Sequence, residues 1–227
     1  MKPLVVLLHG LARGHGSMAR LSRVLRAHGF ETASRTYPSR RHSLSYLASE
    51  IADWIVEQAG TRPVCAVTHS MGGVIVRHLL DPRIRWERIV MLAPPNRGSQ
   101  LAAALTKNPV FRWYYGPAGA ELADGSRWPA PPAAFAVIAG TRGLALTNPT
   151  SWTMGRRFSA QTRHDGTVAV DETRLDGMAA FAEIDVTHTW IMNDPRVHAL
   201  VIQYLRHGAF GDRTVTTTEG DESAVER

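Results

Sequence analysis

The chain has 227 residues, 44% hydrophobic and 20% charged, enough for one globular domain with a substantial core. Its formal charge of +6 comes almost wholly from arginine, since Lys2 and Lys107 are the only lysines. Those arginines are scattered in runs no longer than two, which suits a solvated surface and argues against nucleic-acid binding. A single cysteine, Cys65, excludes an internal disulfide, and a cytoplasmic location is expected.

The opening run Leu4–Leu8 is too short for a signal peptide or a membrane span and reads as a buried strand, ending in His9, Gly10 and Leu11. Ser17 is placed to cap a helix reaching about Gly29, with Met18, Leu21, Val24 and Leu25 as its apolar face. Residues 30–37 read as a second strand, closed by Pro38. Ser43 caps a further helix in which Leu44, Leu47, Ile51, Trp54 and Ile55 repeat at helical spacing.

Residues 63–68 form a third buried strand, in which Cys65 reads as a small core residue. It runs into His69, Ser70, Met71, Gly72 and Gly73, then an apolar helical run over 74–80. A serine between a strand and a helix sits on a tight turn, with its hydroxyl out of the sheet edge and the first helical N–H groups beside it. Ser70 is the only serine with a glycine two residues on.

Trp86–Leu92 reads as the next strand, followed by a loop over 93–99. Residues 101–134 break the rhythm with an aromatic cluster of Phe111, Trp113, Tyr114 and Tyr115. A strand over 135–139 resumes it, a Gly/Pro-containing stretch leads to His164, Asp165 and Gly166, and a last strand over 181–186 precedes His188. Asp194 and Pro195 start a helix to about His207, and residues 211–227 read as a disordered tail. The alternation of strand and helix predicts one α/β domain over 1–210, a mostly parallel sheet with helices on both faces.

A serine hydroxyl needs an imidazole to take its proton, a carboxylate to fix the imidazole's tautomer, and two N–H donors for the oxyanion. Asp165 and His188 follow Ser70 in that order, each in a loop after a strand. His198 and His207 fall inside the last helix, and Asp185 lies too close to His188 on the same strand end to reach its ring. Asp171, Glu172 and Asp176 read as exposed turn residues. Met71 N–H is the first oxyanion donor. Leu11 N–H is the second, with Gly10 letting its loop approach. No metal motif is present and no cofactor is expected.

Five segments together resemble the small bacterial lipases and esterases of the α/β-hydrolase fold. They are His9-Gly10-Leu11, residues 68–73, residues 92–99, residues 165–168 and His188. The resemblance spans about residues 3–207. Two departures are Thr68 in place of the first glycine of the serine motif, and Ala93-Pro94 where the family often has Gly-Thr. It implies a serine esterase acting through an acyl-enzyme on a small-molecule ester. The segment 101–134 stands where such enzymes insert a cap, so Phe111, Trp113 and Tyr114 are expected either to line an apolar acyl or alcohol pocket or to pack onto the body of the domain. No stable membrane insertion is expected, and the oligomeric state is left open. A thioesterase, an amidase, a peptidase and a silent ligand-binding relative remain alternatives on the same residues.

Overall fold

The computed structural model describes residues 1–143, 158–159 and 161–211. Six strands form one parallel sheet: β1 (Leu4–Leu8), β2 (Glu31–Ser34), β3 (Val64–His69), β4 (Trp86–Leu92), β5 (Phe135–Gly140) and β6 (Ala180–Ile184). Their order in space is β2-β1-β3-β4-β5-β6. The chain leaves β1 toward one edge, returns, and continues from β3 toward the other. The crevice between the carboxyl ends of β1 and β3 is therefore the topological switch point, where open α/β sheets bind ligands.

The period of two along each inner strand feeds two separate cores. Leu4, Val6 and Leu8 of β1, with Val64 and Ala66 of β3, face the core under α2 (Leu44–Ala59) and α3 (Met71–His78). Val5, Leu7, Cys65 and Val67 face the opposite core, under α1 (Ala19–Ala27) and the C-terminal helix Pro195–His207. Along α2, Leu44, Leu47, Ile51 and Ile55 are all buried, one apolar stripe at helical spacing, and the Ser43 hydroxyl accepts from Tyr46 N–H to cap it. Asp194 caps the last helix through Arg196 N–H, with Pro195 in its first turn and Gly208 closing it at φ 74°.

Several boundaries differ from the sequence expectation. The first helix begins as a 3₁₀ turn over His15–Met18, because the Ser17 hydroxyl donates back to the Gly14 carbonyl instead of capping forward. The strand expected over 30–37 is only Glu31–Ser34, since Tyr37 leaves the ladder to stack on His9. The helix after Ser70 starts at Met71 rather than residue 74 and ends at His78. The last strand stops at Ile184, where Val186 N–H turns back onto the Ile184 carbonyl.

Between β4 and β5 lie two helices, α4 (Gln100–Leu105) and α5 (Pro109–Glu121), the second broken at Gly116. A short α6 (Val170–Thr173) follows the Asp165 loop, and the C-terminal helix is α7. Glu172 on α6 is buried, against the expectation of an exposed turn. Its carboxylate accepts from Gln100 N–H at 2.7 Å and Ala169 N–H at 2.8 Å, so burial is compensated by two backbone donors. The expected tail beyond residue 211 lies outside the described residues.

Candidate active site

Ser70 joins β3 to α3 at φ 53° and ψ −123°, a conformation that a non-glycine residue adopts only where its surroundings hold it. Ser70 N–H donates to the Leu92 carbonyl and Gly73 N–H to the Ser70 carbonyl. The turn drives α3 against β1: a Cβ on Gly72 would lie 2.6 Å from the Leu8 carbonyl oxygen, so only glycine fits there. Thr68, two residues before the serine, is fully buried, and its hydroxyl has no hydrogen-bond partner among the described residues.

The loops after β5 and β6 meet Ser70 at this end of the sheet. His188 Nδ1 lies 2.7 Å from Asp165 Oδ2, and His188 Nε2 lies 3.0 Å from Ser70 Oγ. A carboxylate only accepts, so Nδ1 carries the proton and Nε2 keeps a lone pair for the serine hydroxyl. The other carboxylate oxygen of Asp165 accepts from Thr167 and Val168 N–H, and His188 N–H donates to the Asp165 carbonyl at 2.9 Å. Asp185 is elsewhere: it is exposed and paired with Arg142.

Two further histidines brace this arrangement. His69 is buried beside the His188 ring, and its Nε2 donates to the His188 backbone carbonyl at 3.0 Å. Burial, and after it the neighbouring His188 and Arg13, hold its pKa well below the usual value, so it stays neutral. His9 is also buried. Its Nδ1 donates to the Gly10 carbonyl at 2.8 Å, its Nε2 accepts from Tyr37 N–H, and the Tyr37 hydroxyl donates to the His9 carbonyl. Burial pushes the His9 pKa down to about 4.

The Gly10 carbonyl and the Leu11 N–H are the two ends of one peptide plane, so pinning the oxygen fixes where the N–H points. Gly10 itself closes on the serine: a Cβ there would lie 3.1 Å from Ser70 Cβ. Among the described residues, neither Leu11 N–H nor Met71 N–H has a protein acceptor.

A cavity of about 340 Å³ opens over Ser70. His69, Ser70 and His188 line its polar side, and Leu11, Leu101, Tyr114, Tyr115, Leu122 and Val168 line apolar walls. Tyr114 is among the residues lining this cavity. Trp113 does not reach the cavity; it is 79% exposed and borders neighbouring hollows, because the turn of α5 aims it outward. The Phe111 side chain lies outside the described residues. Sequence reasoning missed the bracing roles of His69, Tyr37 and Glu172, although His69 was visible as a neighbour of the serine. Among the described residues, no group of three or more His, Cys, Asp or Glu could hold a metal ion, and no helix is long and apolar enough to cross a membrane.

The architecture has close structural counterparts. The mature lipase BlEst2 of Bacillus licheniformis superposes with a TM-score of 0.75 at 20% identity, over 90% of this chain and 92% of its own. A metagenomic carboxyl esterase, MGS0156, gives 0.63 at 17% identity, over 83% and 65%. A monoacylglycerol lipase of Paleococcus ferrophilus gives 0.55 at 19% identity, over 90% and 95%. No curated protein matches the chain. The alpha/beta hydrolase family matches residues 5–221, nearly the whole length, and the chain belongs to that family.

Proposed function

We propose that the protein is a serine hydrolase that cleaves carboxylic esters through an acyl-enzyme. The observation that carries this reading is the unbroken hydrogen-bonded chain from Asp165 through His188 to Ser70, opening onto a largely apolar cavity. As Ser70 Oγ attacks the ester carbonyl, its proton passes to His188 Nε2. Asp165 stabilises the resulting imidazolium. The oxyanion takes the Leu11 and Met71 N–H groups, each a fixed donor worth roughly 10²–10³ in rate. His188 then protonates the departing alcohol. In the second half, water loses its proton to His188, attacks the acyl carbon, and Ser70 leaves with that proton restored.

The structural neighbours named as lipases and carboxyl esterase favour an ester over a thioester or an amide. The helices α4 and α5 act as the cap, with Tyr114 and Tyr115 over the acyl or alcohol part of the substrate. The chemistry needs no cofactor, and with Cys65 as its one thiol the protein suits a cytoplasmic location.

A fluorophosphonate probe tests the nucleophile: the wild type is labelled and Ser70→Ala is not. A panel of nitrophenyl esters, acyl thioesters and anilides then ranks the substrates, with esters expected first. Labelling that survives in Ser70→Ala overturns the assignment.

A further inference from the structure

The catalytic cavity continues past Ala12 and Arg13, which it shares with a second hollow of about 570 Å³. Arg40, Arg41 and Ser39 line that hollow. Arg13 thus lines the cavity together with Ser70, Arg40 and Arg41 line the hollow that adjoins it, and no Asp or Glu lines either space among the described residues.

These arginines differ from several others on the molecule. Arg83, Arg142, Arg163 and Arg196 each pair with a carboxylate. Among the described residues, the Arg13 and Arg41 side chains have no ion pair or hydrogen bond. Arg13 is partly withdrawn from water, and its charge contributes to keeping both His9 and His69 neutral. Arg40 has no counter-charge among the described residues; its Nε donates to the Tyr114 carbonyl, and its guanidinium lies 4.2 Å from the centre of the Tyr114 ring. The Ser39 hydroxyl accepts from Ala12 N–H, which leaves its own hydrogen as a further donor. Charge gathered in a concave site without a partner draws in an opposite charge.

We propose that this hollow is an anion subsite, and that the preferred substrate is an ester with a phosphate or carboxylate close to the scissile bond. The proposal rests on the ester-hydrolase reading for its chemistry. Leu101, Leu122 and Val168 receive the apolar part while Arg13, Arg40 and Arg41 hold the charged end. Guanidinium forks match both oxyanions by paired N–H donors, so the shared chemistry is a planar or tetrahedral anion.

Matched pairs of short esters test it, read below the concentration at which they aggregate and then repeated above it. One pair is monohexanoylglycerol against 1-hexanoylglycerol 3-phosphate, and the other is propyl hexanoate against 3-(hexanoyloxy)propanoate, which carries its carboxylate on the alcohol side near the scissile bond. The anionic member of at least one pair should show kcat/KM tenfold or more above its neutral partner, and the pair that does so identifies phosphate or carboxylate. That ratio should fall toward one in Arg13→Gln combined with Arg41→Gln, and should shrink with salt. Inorganic phosphate or adipate should raise the Tm of the wild type more than that of the double variant, a readout that does not need turnover.

Turnover of the neutral esters with no anionic preference and no Tm shift overturns the subsite and leaves the hydrolase reading standing. Loss of fluorophosphonate labelling and of all ester turnover overturns the hydrolase reading, while the Tm shift still decides the subsite. A preference that appears only above the aggregation concentration assigns the arginines to a lipid surface and overturns the subsite.

Discussion

The ring of His69 donates to the backbone carbonyl of His188, so the residue beside the proposed nucleophile holds the loop that carries the proposed base. The bond is buried, and breaking it strands a carbonyl without a donor, at a cost of about 1–3 kcal/mol. His69→Ala is expected to lower Tm and also to lower kcat, because His188 Nε2 drifts from Ser70 Oγ. His69→Gln, which can donate through its amide, should recover part of both. A purely structural role would lower Tm and leave kcat of the folded fraction intact, so active-site titration with the fluorophosphonate probe separates the two.

The two candidate acids are now distinguishable by their partners. Asp165 Oδ2 meets His188 Nδ1, whereas Asp185 is on the surface with Arg142. Asp165→Asn should cost roughly 10²–10⁴ in kcat with little change in fold, because the amide favours the wrong imidazole tautomer. Asp185→Asn should stay within about twofold of wild type, since an exposed ion pair contributes little. A dead Asp185→Asn beside an active Asp165→Asn would reverse the assignment.

Stability should fall on the acid side, and His9 supplies the sign. Its pKa drops from 6.5 to about 4 on folding, so below pH 6.5 the unfolded chain binds a proton that the folded one refuses. The loss begins as pH falls through 6.5 and levels off near 4, and for this one group amounts to about 3 kcal/mol. His69, also held neutral by burial, acts in the same direction. Urea midpoints at pH 7.5 and 4.5 measure the slope, and His9→Gln should flatten it. An unchanged slope in that variant would mean that His9 is accessible to protons in the folded state.

Glu172 ties the loop after Asp165 to the start of α4 through Ala169 and Gln100 N–H. Glu172→Ala leaves both donors unsatisfied and should cost several kcal/mol, whereas Glu172→Gln keeps one acceptor and should cost less than half as much. Guanidinium unfolding of the two variants orders them. Equal losses would point to side-chain volume and not to hydrogen bonding.

What was readable in the sequence follows from how local each signal is. β1 and β5 are uninterrupted apolar runs, β3 and β4 each hold four consecutive apolar residues (64–67 and 89–92), and Ser70 advertises itself through neighbours only two residues away. Asp165 and His188 were legible because each follows a strand in a parallel sheet, which brings all carboxyl ends to one edge. Glu172 was not, because an acidic residue in the run Val170–Thr173 reads as a solvated turn until the start of α4 supplies the distant one of its two donors, Gln100 N–H. The bond from His69 to His188 was not legible either, as it depends on how two loops 119 residues apart pack together. Tyr37 reads as the end of a strand closed by Pro38, but the ladder stops at Ser34 and Tyr37 stacks on His9 instead, a contact between residues 28 positions apart.

The aromatic cluster on α5 divides into two parts that a chain-length series can tell apart. Tyr114 lines the cavity over Ser70, while Trp113 faces outward at 79% exposure. If Tyr114 covers an acyl chain, each methylene it buries contributes about 0.8 kcal/mol to binding the transition state. Tyr114→Ala should then lower kcat/KM for octanoate esters more than for acetate, with Tm little changed because the side chain is 43% exposed. Trp113→Ala should leave the chain-length profile of dissolved monomeric esters as it is. Reversed roles, with Trp113→Ala flattening the profile and Tyr114→Ala silent, would mean that α5 turns about its break at Gly116 when substrate enters, bringing Trp113 over the cavity in place of Tyr114.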